Sequence, residues 1–469
     1  MRIRLLTTTK EIPECREAVR VFGAVLIGIV LAYCVMVSPV AAILLLSGGI
    51  VIAISFFLRK VDYLIVSWLY LTGFVHLILG RLPAHYYPIV GRGMFWGFLV
   101  CIIVAWGIDN ILRRSGFVPF DNVPLKATIL MFLLWCVLSL STSQNVFESA
   151  KHIGHFVIVL VAAYMFYDFF SRDQDHIIRT LQALLSVTVI ICFIVVLSGG
   201  HGLITGVSIY KKLSLWFQNP NGLGKLLLTC IPILISAGIY HVSNRSLKFI
   251  FVSIMLFGLF LTFSRSSWIA AAVSIAFLQW KSRMRTPIWT GIVAGLILAA
   301  LLFPVFAGDT YDYLAGPRYS GRREIWKAAW DIACEYPILG VGLGNSIHLI
   351  PLYCPNEFFG ELIGAENTHS VYLANAAEIG FPSVVIWLAF FVTFVYYSLK
   401  IEANLKSEYL RLLCRGATAT FLALFVSGIF ENGHLLTAFT GSEYHVIVPY
   451  LVMAIPFAAK KLEERREAG

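Results

Sequence analysis

Long apolar runs broken by short polar joints fill the chain from about residue 20 to about residue 459. A helix needs about 20 apolar residues to cross a bilayer. Backbone polar groups in lipid must pair within their own segment, so such runs are helices. The pattern predicts spans near 20–37, 39–58, 61–79, 93–112, 124–141, 152–170, 178–198, 222–242, 247–263, 265–280, 286–306, 371–399, 411–430 and 443–459. The run at 265–280 is short, and with re-entrant or half-helix pairs the count falls from about 14 to about 12. The fold class expected is therefore all-α, a polytopic membrane helix bundle.

One stretch breaks the rhythm. Residues 307–370 are mostly polar, and a loop of about 60 residues without a role is uncommon. Inside it, Ile325, Trp326, Ala329, Trp330, Ile332 and Ala333 recur at helical spacing. An amphipathic helix is expected there, on the outer leaflet or against the bundle. The run 337–345, Pro-Ile-Leu-Gly-Val-Gly-Leu-Gly-Asn, ends that helix in a tight irregular turn. The chain so divides into an N-terminal transmembrane bundle (1–306), a loop domain (307–370) and C-terminal transmembrane helices with a tail (371–469).

Composition agrees. The chain is 59% hydrophobic and 13% charged, with mean hydropathy +0.81, against about 25% charged residues in soluble domains. The net charge of +10 does not mark a nucleic-acid binder, because the excess is spread over short loops as a topology signal is. With the N-terminus in the cytoplasm, roughly 25 of the 36 Lys and Arg fall on the cytoplasmic side. An even count puts both termini there, and the charged tail at 460–469 matches the basic N-terminal arm. That arm flows into apolar sequence with no A-x-A-like site, so no cleavable signal is evident. The outer cations gather at Arg265 and at Arg318, Arg322, Arg323 and Lys327. Charge against the positive-inside bias points to an anionic ligand on the outer face.

Arg265 lies among Thr262, Ser264, Ser266 and Ser267, where a polar pocket competes with simple snorkelling. Arg322 and Arg323 suit phosphate through their planar donor forks. Neighbours on a helix point about 100° apart, so one faces a site and the other solvent or headgroups. His369 follows Asn367 and Thr368, either of which is a candidate N-cap. That puts His369 in the first turn of a membrane helix, where the dipole favours a neutral imidazole able to act as a general base. Glu378 lies farther along the same helix and is expected to face the bundle interior or a cavity. Weaker candidates on that face are Lys211, Lys212, Gln218, Asn219, Asn221, Lys225, Glu431, His434 and His445. Cys334 and Cys354 share the outer loop and either pair, at about 3 kcal/mol for a closed loop of about 20 residues, or stay free.

No zinc-like His/Cys spacing and no P-loop occur. The suspected outer site also offers no aspartate pair for a divalent ion. Metal-free chemistry, with arginine neutralising phosphate, is the expectation.

These residues carry a family resemblance. The Ser-Arg break at Arg265, the Gly-Arg-x-x-x-Trp run at 321–326, the glycine turn at 337–345, and Asn367-Thr368-His369-Ser370-x-Tyr372-Leu373 with Glu378-x-Gly380 resemble the O-antigen ligase and polymerase superfamily. The Asn-Pro-Asn turn at 219–221 also fits, and the likeness is strongest over 215–400. It implies an inverting glycosyltransferase of the bacterial inner membrane with a periplasmic active site and no cofactor. The donor would be an undecaprenyl diphosphate-linked glycan. The acceptor would be lipid A–core for a ligase, or another lipid-linked repeat for a polymerase. Carried onto this chain, Arg265 and Arg322 would grip the diphosphate, with Arg323, Arg318 and Lys225 near it. His369 would take the acceptor proton, and Asn367, Thr368, Tyr372, Glu378, Asn219 and Asn221 would support the site. A transporter for lipid-linked sugars is a different class, but it would place charge at the midplane and show repeat symmetry. Glycosyltransferases with an acidic first outer loop do not fit the short turn at 37–40.

Overall fold

The computed structural model describes residues 61, 64–70, 87–112, 116–205, 220–237, 245–281, 287–306, 322–354, 368–431 and 444–468. All the regular structure among them is helical. In chain order the helices are α1 (Tyr87–Leu112), α2 (Val123–Leu138), α3 (Val146–Phe170), α4 (Gln174–Thr205), α5 (Pro220–Ser236), α6 (Arg245–Leu261) and α7 (Arg265–Lys281). There follow α8 (Pro287–Phe306), α9 (Arg322–Glu335), α10 (Ser346–Tyr353), α11 (Val371–Ile379), α12 (Phe381–Asn404), α13 (Glu408–Ser427) and α14 (Tyr444–Ala468).

Five segments among the described residues are long and apolar enough to cross a membrane: Val123–Thr142, Val146–Phe170, Gln174–Leu197, Phe381–Asn404 and Glu408–Ser427. The protein is a polytopic helix bundle, as hydropathy predicts. The expected spans 20–37, 39–58 and most of 61–79 lie outside the described residues. Asn122, Asn145 and Ser407 cap α2, α3 and α13 by accepting hydrogen bonds from the backbone N–H three residues on.

One expected span is corrected. The run 371–399 is two helices, because Gly380 (φ 80°) ends α11 and Pro382 sits at the start of α12. Into that break fits the glycine turn of 337–345. Val341 and Gly342 donate their N–H groups to the Ala377 and Glu378 carbonyls at 3.0 and 2.8 Å, and Phe381 N–H donates to Pro337 O at 2.9 Å. A Cβ on Gly340 would lie 2.2 Å from the Glu378 carbonyl carbon, and one on Gly380 would lie 2.1 Å from Ile338 O. Only glycine permits this approach of backbone to backbone.

Helices from before and after the 307–370 loop interleave. α13 packs on α5, α7, α12 and α14; α3 packs on α14, and α2 on α12. Small residues make the centre possible. Gly416, Ala417, Thr418, Ala419 and Thr420 of α13 are all buried. Thr420 Oγ1 donates to Thr229 O of α5 at 3.0 Å.

α12 and α13 run the depth of the bundle and define its two ends. At one end, Lys461 pairs with Asp121 at 2.6 Å, Lys406 pairs with Glu467 at 2.7 Å, and Arg466 donates to Gln174. Near this end, the buried carboxylate of Asp168 accepts from Trp106 Nε1, Asn110 Nδ2, Val118 N and Arg172. At the other end lie the start of α5, the start of α9, residues 368–370 and the turn after α13.

Candidate functional site

α9 is the amphipathic helix read from the sequence. Its Ile325, Ala328, Ala329, Ile332 and Ala333 are buried in a second core with Val341, Ile350, Ala376 and Ala377. That packing seats it on α11. Trp330 is 52% exposed and so does not share this core. At the N-terminus of α9, Arg322 turns inward and Arg323 is exposed, as the angle between neighbouring helical positions requires. One turn on, Trp326 lies against Phe430 with ring centroids 6.2 Å apart. This contact sets the first turn of α9 against the turn after α13.

Glu431 stands in that turn, 4% exposed, and side chains from three other segments meet it. Arg322 Nη2 donates to Glu431 Oε1 at 2.9 Å, and Arg322 Nη1 donates to Phe430 O at 3.4 Å. Asn221 Nδ2, in the first turn of α5, donates to the same Oε1 at 2.7 Å. His369 Nδ1 is 3.8 Å from Oε2. Lys225, one turn beyond Asn221, is 6% exposed and acts on Glu431 electrostatically. Burial pushes the Glu431 carboxyl up, but His369, Lys225 and Arg322 outweigh burial and hold it below the usual carboxylate value.

His369 is not in the first turn of a helix. The N-cap is Ser370, whose Oγ accepts from Leu373 N, instead of Asn367 or Thr368. His369 precedes the cap with φ 50°. Thr368 is buried and its Oγ1 donates to Ser370 O at 3.0 Å. Left-handed backbone at a non-glycine residue costs on the order of 1 kcal/mol or more and persists only where the surroundings impose it. Here Val371 N–H is fixed on Gly428 O at 2.9 Å, so the same turn that carries Glu431 also sets the direction of His369. Among the described residues Phe263 (φ 51°) is the other such non-glycine position, two residues before Arg265.

Arg265 opens α7 and is exposed. Its hydroxyl neighbours serve each other: Ser264 Oγ lies 3.1 Å from Ser266 Oγ and 2.9 Å from Ser267 Oγ. They close against α5 at Gly224, where a Cβ would lie 2.4 Å from Ser267 Oγ. The Arg265 turn is thus packed beside Lys225.

Glu378 does other work. It is buried, but it accepts from Gly344 N at 2.9 Å and Ser346 Oγ at 2.6 Å, at the N-terminus of α10. No cation meets it among the described residues. Tyr372 is likewise structural, with its hydroxyl donating to Phe425 O at 2.9 Å. The disulfide considered for Cys334 and Cys354 is not made, and both thiols are free. Cys354 packs by the Glu324 carbonyl, about 15 Å along α9 from Cys334 by helical rise, beyond disulfide reach. Asn221 belongs to a helix, because α5 begins at Pro220, and not to an Asn-Pro-Asn turn. Arg318, Asn367, Asn219, Gln218, Lys211, Lys212 and His434 lie outside the described residues, and His445 is in the first turn of α14.

Of the sequence candidates, the fold therefore gathers Arg322, His369, Asn221, Lys225 and Glu431. Arg265 sits on the neighbouring turn, and Glu378 belongs to the glycine turn. Comparison with known families bears on what such a cluster is for. Residues 250–388 match a family model described as O-antigen ligase. Over that segment the match agrees with the resemblance read from the motifs. The match takes in Arg265, Arg322, His369 and Glu378, and with the apolar helices it supports a membrane role in glycosyl transfer of the ligase or polymerase kind. Comparison with curated proteins finds no match. Asn221, Lys225 and Glu431 fall outside the matched segment, and only folding brings them to it.

Proposed function

We propose that this protein is an inverting, metal-independent O-antigen ligase of the bacterial inner membrane. It moves a glycan from undecaprenyl diphosphate to a hydroxyl of lipid A–core at the periplasmic face. The observation that carries the reading is the convergence of Arg322, Lys225 and His369, from three separate segments, on one buried carboxylate at one end of the bundle. A buried Glu431 neutralises one of those cations and leaves a surplus for a dianionic or trianionic diphosphate. Arg265, exposed on the adjoining turn, adds another donor fork.

The step balances with residues of this chain alone. His369 Nε2 takes the proton of the acceptor hydroxyl, while Nδ1 faces Glu431. The acceptor oxygen bonds to the anomeric carbon from the face opposite the diphosphate. The anomeric C–O bond breaks, and the lipid diphosphate leaves with the electron pair. Arg322, Arg265 and Lys225 stabilise the charge that builds on it. The imidazolium formed at His369 is stabilised by the Glu431 carboxylate.

The test is transfer by purified protein in detergent, with a lipid diphosphate-linked glycan and lipid A–core. Transfer is expected with wild type and absent with His369→Ala, which still binds donor. Absence of transfer with wild type under conditions that support donor binding would overturn the reading. Cells lacking the protein are expected to accumulate long unlinked glycan. Single unpolymerised repeats instead would make the enzyme a polymerase.

A further inference from the structure

The two oxygens of Glu431 are held differently. Oε1 accepts twice, from Arg322 Nη2 at 2.9 Å and from Asn221 Nδ2 at 2.7 Å. Oε2 is turned to His369, 3.8 Å from Nδ1. A carboxylate is planar, so fixing Oε1 from two directions also sets where Oε2 points. The two donors come from different helices: Arg322 opens α9, and Asn221 stands in the first turn of α5.

They also differ in kind. Arg322 is a partly exposed cation. Both of its terminal nitrogens are engaged by the turn after α13, Nη2 by Glu431 and Nη1 by Phe430 O. A diphosphate carries more charge than one carboxylate and competes for that fork. Lys225 also acts on Glu431, but it too is a cation and is drawn by the same charge. Asn221 is neutral, and its amide gains much less from a phosphate. Its backbone is fixed as well, because α5 begins at Pro220 and proline presets the first helical position. We infer that Asn221 is a positioning residue for transfer: it keeps the Glu431 carboxylate aimed at His369 when the lipid diphosphate draws Arg322 away. The inference rests on the diphosphate and base roles proposed above. With Oε2 facing Nδ1, the ring proton stays on Nδ1, because the bond made by one imidazole nitrogen decides the role of the other. Nε2 then presents its lone pair to the acceptor hydroxyl. Without Asn221 the aim of the carboxylate depends on Arg322, and it is lost when Arg322 turns to the donor.

The test uses the full protein in mild detergent, as wild type, Asn221→Ala and Asn221→Gln, the last of which keeps an amide donor. Nitrogen NMR of histidine-labelled protein with undecaprenyl diphosphate bound reads which ring nitrogen of His369 carries the proton. The signal is assigned by its loss in His369→Ala. Wild type is expected to hold the proton on Nδ1, Asn221→Ala to shift it toward Nε2, and Asn221→Gln to return it toward Nδ1. In the transfer assay, Asn221→Ala is expected to lose about tenfold in kcat with donor KM within about twofold of wild type. Asn221→Gln should recover most of that loss. A wild-type ring protonated on Nε2, or an unchanged tautomer in Asn221→Ala, would overturn the positioning role whatever the activity. So would a folded Asn221→Ala protein that raises donor KM and leaves kcat unchanged, since Asn221 would then be a donor ligand. Should Asn221→Ala not fold, Asn221→Leu, which has a similar branched shape and no donor, is read by the same outcomes. A wild type that transfers nothing counts against the glycosyl-transfer reading, and the tautomer contrast decides separately whether Asn221 holds Glu431 on His369.

Discussion

Two buried carboxylates flank the short helix α11, and their surroundings differ completely. Glu378, at its C-terminal end, is satisfied by a backbone N–H and a serine hydroxyl of the neighbouring turn. Glu431 lies beyond the N-terminal end of α11 and is met by an arginine, a lysine, a histidine and an asparagine from three other segments. The first arrangement fastens one loop to one helix break. The second gathers charged side chains from across the chain, which a fold has little reason to do for stability alone: removing one partner of a buried pair is costly, but the intact pair contributes little. Burial by itself does not mark the site. The chemical nature of the partners does.

The contrast breaks first at His369. His369→Ala should lower transfer by about a thousandfold, within the range for loss of a general base and below what the transfer assay detects, while the thermal midpoint and donor binding hold. A variant with near-normal turnover would remove the base. Glu431→Ala should come next. It strands Lys225 and Arg322, and the expected cost is about 3 kcal/mol of stability, with transfer lost in parallel. At the other carboxylate, Gly340→Ala should destabilise by about 2 kcal/mol through overpacking against the Glu378 backbone, with kcat of the surviving folded fraction unchanged. Arg322→Lys keeps charge but loses the fork, and about a tenfold fall in kcat/KM is expected. Smallest of all, Glu378→Gln should cost about 1 kcal/mol of stability and leave kcat untouched. If Glu378→Gln instead abolished turnover in folded protein, the two carboxylates would not be the different things described here.

Acid sharpens the same contrast. The Glu431 carboxyl is held low, so its folded-state value lies below that of the unfolded chain. Its contribution to stability is therefore fully present above the ordinary carboxylate value and is lost as pH falls through the lowered one. Wild type should hold the cluster through neutral and mildly acidic pH, and Glu431→Gln should flatten the acid limb of the stability profile. A calorimetric pH series reads both.

Much of the fold was legible in the apolar pattern, because a membrane helix is declared by its own residues. The runs at 93–112, 247–263 and 286–306 correspond to α1, α6 and α8. The break at Gly380 was announced by Gly-Phe-Pro and was hidden only by the hydrophobicity around it. α9 was visible at helical spacing and Arg322 by its charge on the face that the positive-inside count reads as outer. Glu431 was not readable as the centre of anything. It lies 109 residues from Arg322 and 210 from Asn221, and nothing local about the sequence Phe-Glu-Asn tells that three segments will meet on it. The backbone of His369 was hidden for a similar reason. Its φ is imposed by the Val371 hydrogen bond to Gly428, a contact that exists only after folding.

The central claim is that the cations around Glu431 hold a lipid diphosphate next to His369. Its most direct test is equilibrium binding of undecaprenyl diphosphate, with undecaprenyl monophosphate as control, to wild type, Arg322→Gln and His369→Ala. Wild type should prefer the diphosphate, Arg322→Gln should lose that preference, and His369→Ala should keep it while transferring nothing. An undiminished diphosphate preference in Arg322→Gln would contradict the account.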